Sequence, residues 1–131
     1  MKTEIKVYFR MTGFSKEPSH LAHEVGIQPD RIWKIGEPRK IAKGTFKENG
    51  WELCSRSDKK EELEVHLNDV LKRIRPCAKK ISTLAKKFPT LLSCVIYSYG
   101  GDRPAITFPP SALRELASFN VTLDVDLYIL S

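Results

Sequence analysis

Cysteine is scarce in this sequence. Cys54, Cys77 and Cys94 are the only three in 131 residues, and no two of them form a CxxC pair. An odd, widely spaced set excludes a fully paired disulfide framework and the commoner zinc-ribbon spacings. Long apolar runs are also missing, and nothing approaches the ~20 residues that a membrane-spanning helix needs. The N-terminal Met1-Lys2-Thr3-Glu4-Ile5-Lys6 alternates charge with apolar side chains and has no signal-peptide core. Three reduced thiols in a cytoplasmic protein are therefore expected. There is no GxGxxG, P-loop, HExxH or nucleophile elbow, and no Gly/Ser-rich linker divides the chain. No cofactor signature is present. One domain over residues 1–131 is the natural reading at this length.

Acids are absent from one long stretch. The formal net charge is +6, but residues 1–30 balance four bases against four acids, and residues 101–131 carry two bases and four acids. The excess lies in residues 31–100, with sixteen bases and eight acids, and no Asp or Glu occurs from Val70 through Gly101. Lys72, Arg73, Arg75, Lys79, Lys80, Lys86 and Lys87 crowd this stretch, a field that favours an acidic partner and weakens with salt.

Periodicity supplies the architecture. Ile5, Val7, Phe9 and Met11 alternate with Glu4, Lys6, Tyr8 and Arg10, which predicts a half-buried strand ended by Thr12-Gly13. Pro18 opens a short helix that turns Leu21, Ala22 and Val25 inward and closes at Gly26. A short β-prone run surrounds Ile32. Asn49-Gly50, between Ile41–Lys47 and Trp51–Ser55, predicts a hairpin. Asp58 and Glu61 have capping-box spacing before the stripe Leu63, Leu67, Val70, Leu71 and Ile74.

Beyond Pro76, Cys77, Ile81, Leu84, Ala85 and Phe88 repeat that stripe. A straight 30-residue helix would run about 45 Å, longer than the ~36 Å diameter of a compact chain of this size. A break or sharp kink at Pro76 is expected. Leu91–Tyr99 reads as a central strand covered on both faces. Gly100-Gly101-Asp102 turns it into Ala105–Phe108, a second hairpin. Pro109-Pro110 opens a last helix ended by Asn120. Val121, Leu123, Val125, Leu127 and Ile129 then alternate with polar neighbours as a final half-buried strand. The order β-α-β-β-α-α-β-β-α-β describes an α+β sandwich, a largely antiparallel sheet packed by helices.

Four ordered patterns resemble the DUF4279 family of small uncharacterised bacterial proteins. They are Leu-x-x-Glu-Val-Gly-Ile-x-Pro-Asp-Arg-Ile-Trp-Lys-Ile-Gly-Glu from Leu21 to Glu37; Gly50-Trp51 with Leu53 and Ser55; Leu63, His66-Leu67, Val70-Leu71 and Pro76; and Leu113, Leu116-Ala117 with Leu123-Asp124-Val125-Asp126-Leu127-Tyr128. The resemblance covers nearly the whole chain. It implies an intracellular bacterial protein of one domain with no established activity, and it carries over no catalytic residue.

Candidate chemistry divides into three readings. The first is a non-enzymatic protein-interaction module with an acidic partner, of which toxin neutralisation is one form. Its surface is Arg31, Trp33 and Lys34 together with Lys72, Arg73, Arg75, Lys79, Lys80, Lys86 and Lys87. Trp33, flanked by two cations, reads either as an interface anchor or as a cap on the core. The second is an enzyme or metal binder built on Asp124 and Asp126, about 7 Å apart on one strand face, or on His20 and His23. The ordinary alternatives are the polar face of a terminal strand and a solvated helix face. His66, beside its helix's apolar stripe, reads as a packed histidine. The third is nucleic-acid binding through Lys72–Lys87, disfavoured because residues 72–87 contain no aromatic on which a base could stack.

Overall fold

The computed structural model describes residues 3–131. Five strands form one mixed sheet, β1 (Thr3–Thr12), β2 (Arg31–Trp33), β3 (Gly50–Cys54), β4 (Thr90–Tyr99) and β5 (Thr122–Leu130), in the order β2-β3-β1-β4-β5. All neighbours are antiparallel except β4 and β5, which run parallel. The helices are α1 (Pro18–Val25), α2 (Leu63–Ile74), α3 (Ala78–Ala85) and α4 (Pro110–Ser118). The class is α+β, and the elements follow the expected order except that no strand forms over 105–108.

All four helices pack on one face of the sheet. Ile5, Val7, Phe9 and Met11 of β1, Trp51 and Leu53 of β3, and Leu92, Cys94 and Ile96 of β4 share one core with Leu21, Leu67, Ile74, Ile81 and Leu116 from the helices. The antiparallel registers set Val7 beside Cys94 and Met11 beside Trp51, so the apolar rows of adjacent strands coincide. The other sheet face carries Lys6, Tyr8, Arg10, Ser93, Tyr97, Asp124 and Tyr128. β4 is therefore covered on one face only, and Tyr97 on its open face is exposed.

Both expected hairpins are absent, for one topological reason. Each edge of β3 is taken, by β1 and β2, and each edge of β4 is taken, by β1 and β5. Residues 41–47 and 105–108 have no free edge there to join. Gly50 starts β3 rather than turning a hairpin, and its missing side chain makes room for Trp33, whose ring would lie 2.2 Å from an added Cβ. Asn49 staples the 34–49 loop: its Oδ1 accepts the Ile35 N–H (2.8 Å) and its Nδ2 donates to the Phe14 carbonyl (2.9 Å).

The helix boundaries follow local chemistry, with two departures. Gly26 closes α1 in the left-handed region at φ 93°, its N–H donating to the carbonyls of Ala22 and His23. Asp58 does not cap α2. Its carboxylate accepts the Lys60 N–H at 2.8 Å, one turn before the helix starts at Leu63. At Pro76 the chain breaks as expected, through a single 3-10 turn over Arg75–Cys77. The bend falls after the proline, however: Arg75 keeps helical angles, and Cys77 departs from them at φ −108°, ψ 16°.

Candidate interaction surface

The basic residues separate into those tied into the fold and those left outside it. Arg73 donates to the Cys54 carbonyl (2.8 Å) and to Asp30 (2.9 Å). Arg56 reaches the other Asp30 oxygen at 3.0 Å, and the Cys54 N–H donates to Asp30 at 2.8 Å. Burial pushes the Asp30 carboxyl up, but the Cys54 amide and the two guanidiniums outweigh it and bring it down to about 2. Arg75 makes a two-pronged pair with Glu115 of α4, at 2.5 and 2.9 Å, which holds that carboxyl below its ordinary value.

Lys72, Lys79, Lys86 and Lys87 are exposed, and among the described residues no ion pair or side-chain hydrogen bond engages their amines. Lys80 donates to the Glu24 carbonyl at 2.7 Å, which fixes its amine and leaves the charge outward. Lys79 and Lys86, like Lys80 and Lys87, are seven residues apart, so the four form one ridge along α3 and the turn after it. Ile81 faces the opposite way into the core, with Leu84 and Phe88 half-buried beside it. A groove of about 320 Å³ between α1 and α3 runs beside Lys79 and Lys80.

Arg31, Trp33 and Lys34 lie elsewhere. Arg31 and Trp33 face the helix-free side of the sheet. Trp33 is only 5% exposed. The Phe46 ring stacks on it at 5.3 Å, the Arg31 guanidinium sits 4.6 Å from its centre, and Arg39 covers Phe46 at 5.7 Å. The indole thus caps the sheet beneath the 34–49 loop. Lys34 pairs with Glu17 at 2.6 Å. Buried Glu52 is shared between Arg10 (2.6 Å) and Arg31 (3.4 Å).

The carboxylate and imidazole candidates are open or sealed. Asp124 and Asp126 share one face of β5, as expected from the alternation. Tyr128 donates to Asp126 at 2.9 Å and Ser93 to Asp124 at 3.4 Å, and neither aspartate lines the groove beside α3 or the larger cleft at the start of β1. His20 and His23 are exposed on α1. Among the described residues, no group of three or more His, Cys, Asp or Glu is placed to hold a metal.

His66 is fully buried, with its Nδ1 2.7 Å from Ser55 Oγ, which also accepts the Val7 N–H at 3.0 Å. Burial, then Lys6, lowers its pKa, against weaker upward pulls from the Asp58 backbone, Asp69 and Glu61. With Ser55 and His66 both below 2% exposure, substrate has no access to the pair, and it works as a clamp between β1, β3 and α2. A larger cleft, about 800 Å³, opens between the start of β1, the start of α2 and residues 102–107. Its rim carries Glu61, Glu62, Glu64 and Asp102, and its floor Ile5, Leu63 and Pro104.

Sequence reasoning missed the Asp30 cluster and the Trp33–Phe46 stack. Asp30 and Arg73 are 43 positions apart, and no local pattern signals their meeting. Gly50 was the available clue to the stack, since a glycine opposite an aromatic in a strand marks close approach.

These features define a two-layer α+β protein with a helix-covered sheet, free thiols at Cys54, Cys77 and Cys94, and a cationic ridge. Residues 3–130 match the family model described as Domain of unknown function (DUF4279), and the chain belongs to that family. No curated protein and no solved structure matches it. Among the described residues, no helix is long and apolar enough to cross a membrane.

Proposed function

We propose that this chain is a non-catalytic binding module whose α3 ridge docks on an acidic protein surface. The observation that carries the reading is electrostatic. Lys79 and Lys80 occupy the first turn of α3, which has no acidic residue, so their charges oppose the positive end of the helix dipole. In α2, by contrast, Glu64 comes first and Lys72 and Arg73 last, an order the helix itself favours. The α3 lysines are thus placed against helix electrostatics, and their ammonium groups lack acidic neighbours in their own segment. Within the fold Glu24 answers Lys80 alone of the ridge lysines, and recognition would supply the compensation for the rest of the ridge.

A protein partner suits this ridge better than a nucleic acid. The segment has no aromatic, and the exposed Tyr97 and Tyr128 lie on the opposite sheet face beside Asp124 and Asp126. Toxin neutralisation is one form of such binding, and the toxin would present an acidic patch. Free thiols suit a reducing cytoplasm as the place of action.

The test is affinity capture from nuclease-treated extract of the native host, comparing the wild type with K79Q/K80Q/K86Q/K87Q. The wild type should enrich one protein saturably, and the variant at least about tenfold less, as expected when steering and contact charges are removed together. Equal capture by both, or no saturable protein with the wild type, overturns the reading.

A further inference from the structure

Strand β5 has the sequence of a half-buried strand, yet this chain leaves most of its apolar row in water. Val125, Leu127 and Ile129 point to the helix side, in register with buried Cys94, Ile96 and Ser98 of β4. They are nevertheless 38%, 44% and 77% exposed. Only Val121, just before the strand, and Leu123 at its start pack against the core. β5 is also an edge strand, so one line of its backbone N–H and C=O groups faces outward.

The two edges of the sheet differ. β2 has three residues and carries Arg31, the short, charged edge that discourages strand addition. β5 has nine residues with no Lys, Arg, Pro or Gly. We propose that β5 pairs antiparallel with β5 of a second copy of this chain, about a two-fold axis at Leu127, joining the two five-stranded sheets into one.

The register follows from side-chain chemistry. About that axis Leu127 faces Leu127, Val125 faces Ile129, Asp126 faces Tyr128 and Asp124 faces Leu130. The helix-side row becomes a continuous apolar strip across both copies, and no aspartate directly opposes another. A contact of this kind is self-complementary, as a two-fold interface requires. The basic excess of residues 31–100 lies outside the seam, and the only charges on β5 itself are Asp124 and Asp126, each set opposite a neutral side chain in this register. It leaves the α3 lysines free and does not depend on the binding-module reading.

Sedimentation at about 100 µM, where a micromolar interface is largely occupied, tests the proposal. The wild type should sediment at about 30 kDa, twice the chain mass of 15.0 kDa. L127D and L127K should each sediment at the chain mass, because each sets like charges directly opposite one another. An equimolar mixture of the two should return to the doubled mass, a rescue that misfolding of either variant cannot produce. Ile32→Lys on β2 should remain dimeric. A wild type at the chain mass, a dimeric L127D, a monomeric Ile32→Lys or a mixture without recovery overturns the proposal.

Discussion

Asp30 shows how one side chain fixes several elements. It precedes β2, accepts a backbone N–H from the end of β3, and holds guanidiniums from Arg56 and from Arg73 of α2. Its folded pKa of about 2 lies below the ordinary 3.8. The group therefore contributes stability that is fully present above about pH 4 and is lost as pH falls through about 2. Discounted for partial exposure, the contribution is about 1–2 kcal/mol. Urea unfolding of the wild type and Asp30→Asn should show a gap of this size at pH 6 that shrinks between pH 4 and 2. A gap independent of pH contradicts the assignment. Cys94 marks the opposite extreme. Burial, with a smaller push from Asp124, raises its thiol to about 12. A thiol reagent at pH 8 should modify half-buried Cys77 in the native protein and reach Cys94 only on unfolding. Native-state labelling of Cys94 contradicts that reading.

Among the elements, β3 depends on a residue that reads locally as a turn. Gly50→Ala would drive a methyl into the Trp33 ring and displace the stack with Phe46. It should cost about 1–3 kcal/mol in urea unfolding, with a changed Trp fluorescence. No loss of stability would show that the ring has room to move. Elements whose cause is local were legible in the sequence: β1 from its period of two, α1 from Pro18 and Gly26, and α2 and α3 from a stripe interrupted at Pro76. Elements set by competition for strand edges were not. Residues 41–47 and 105–108 have strand composition, but which edges are already paired is a property of the whole sheet. Asn49-Gly50 misleads for the same reason, because a distant aromatic and a distant carbonyl decide what the two residues do. The cationic surface was legible as charge, whereas its division into Arg73 and Arg75, paired with acids of the fold, and the outward lysines was not, since the partners Asp30 and Glu115 lie 43 and 40 positions away.

On the scale of the whole molecule, the structure separates its surfaces. The helix layer carries the cationic ridge and the open sheet face a mixed array of tyrosines and charges. The β5 edge carries an apolar row that a second copy would continue across the seam. The central claim concerns the ridge: Lys79 and Lys80 oppose the dipole of α3 at its start, and on the proposed reading the ridge answers to an acidic surface outside the chain. The most direct measurement is the affinity of the captured, purified partner for the wild type and for K79Q/K80Q/K86Q/K87Q, at about 0.05 M and about 0.5 M salt. Wild-type binding should weaken at least about tenfold across that range, and the variant's should be weak at both and nearly flat. Equal affinities for the two proteins, unmoved by salt, would contradict the account.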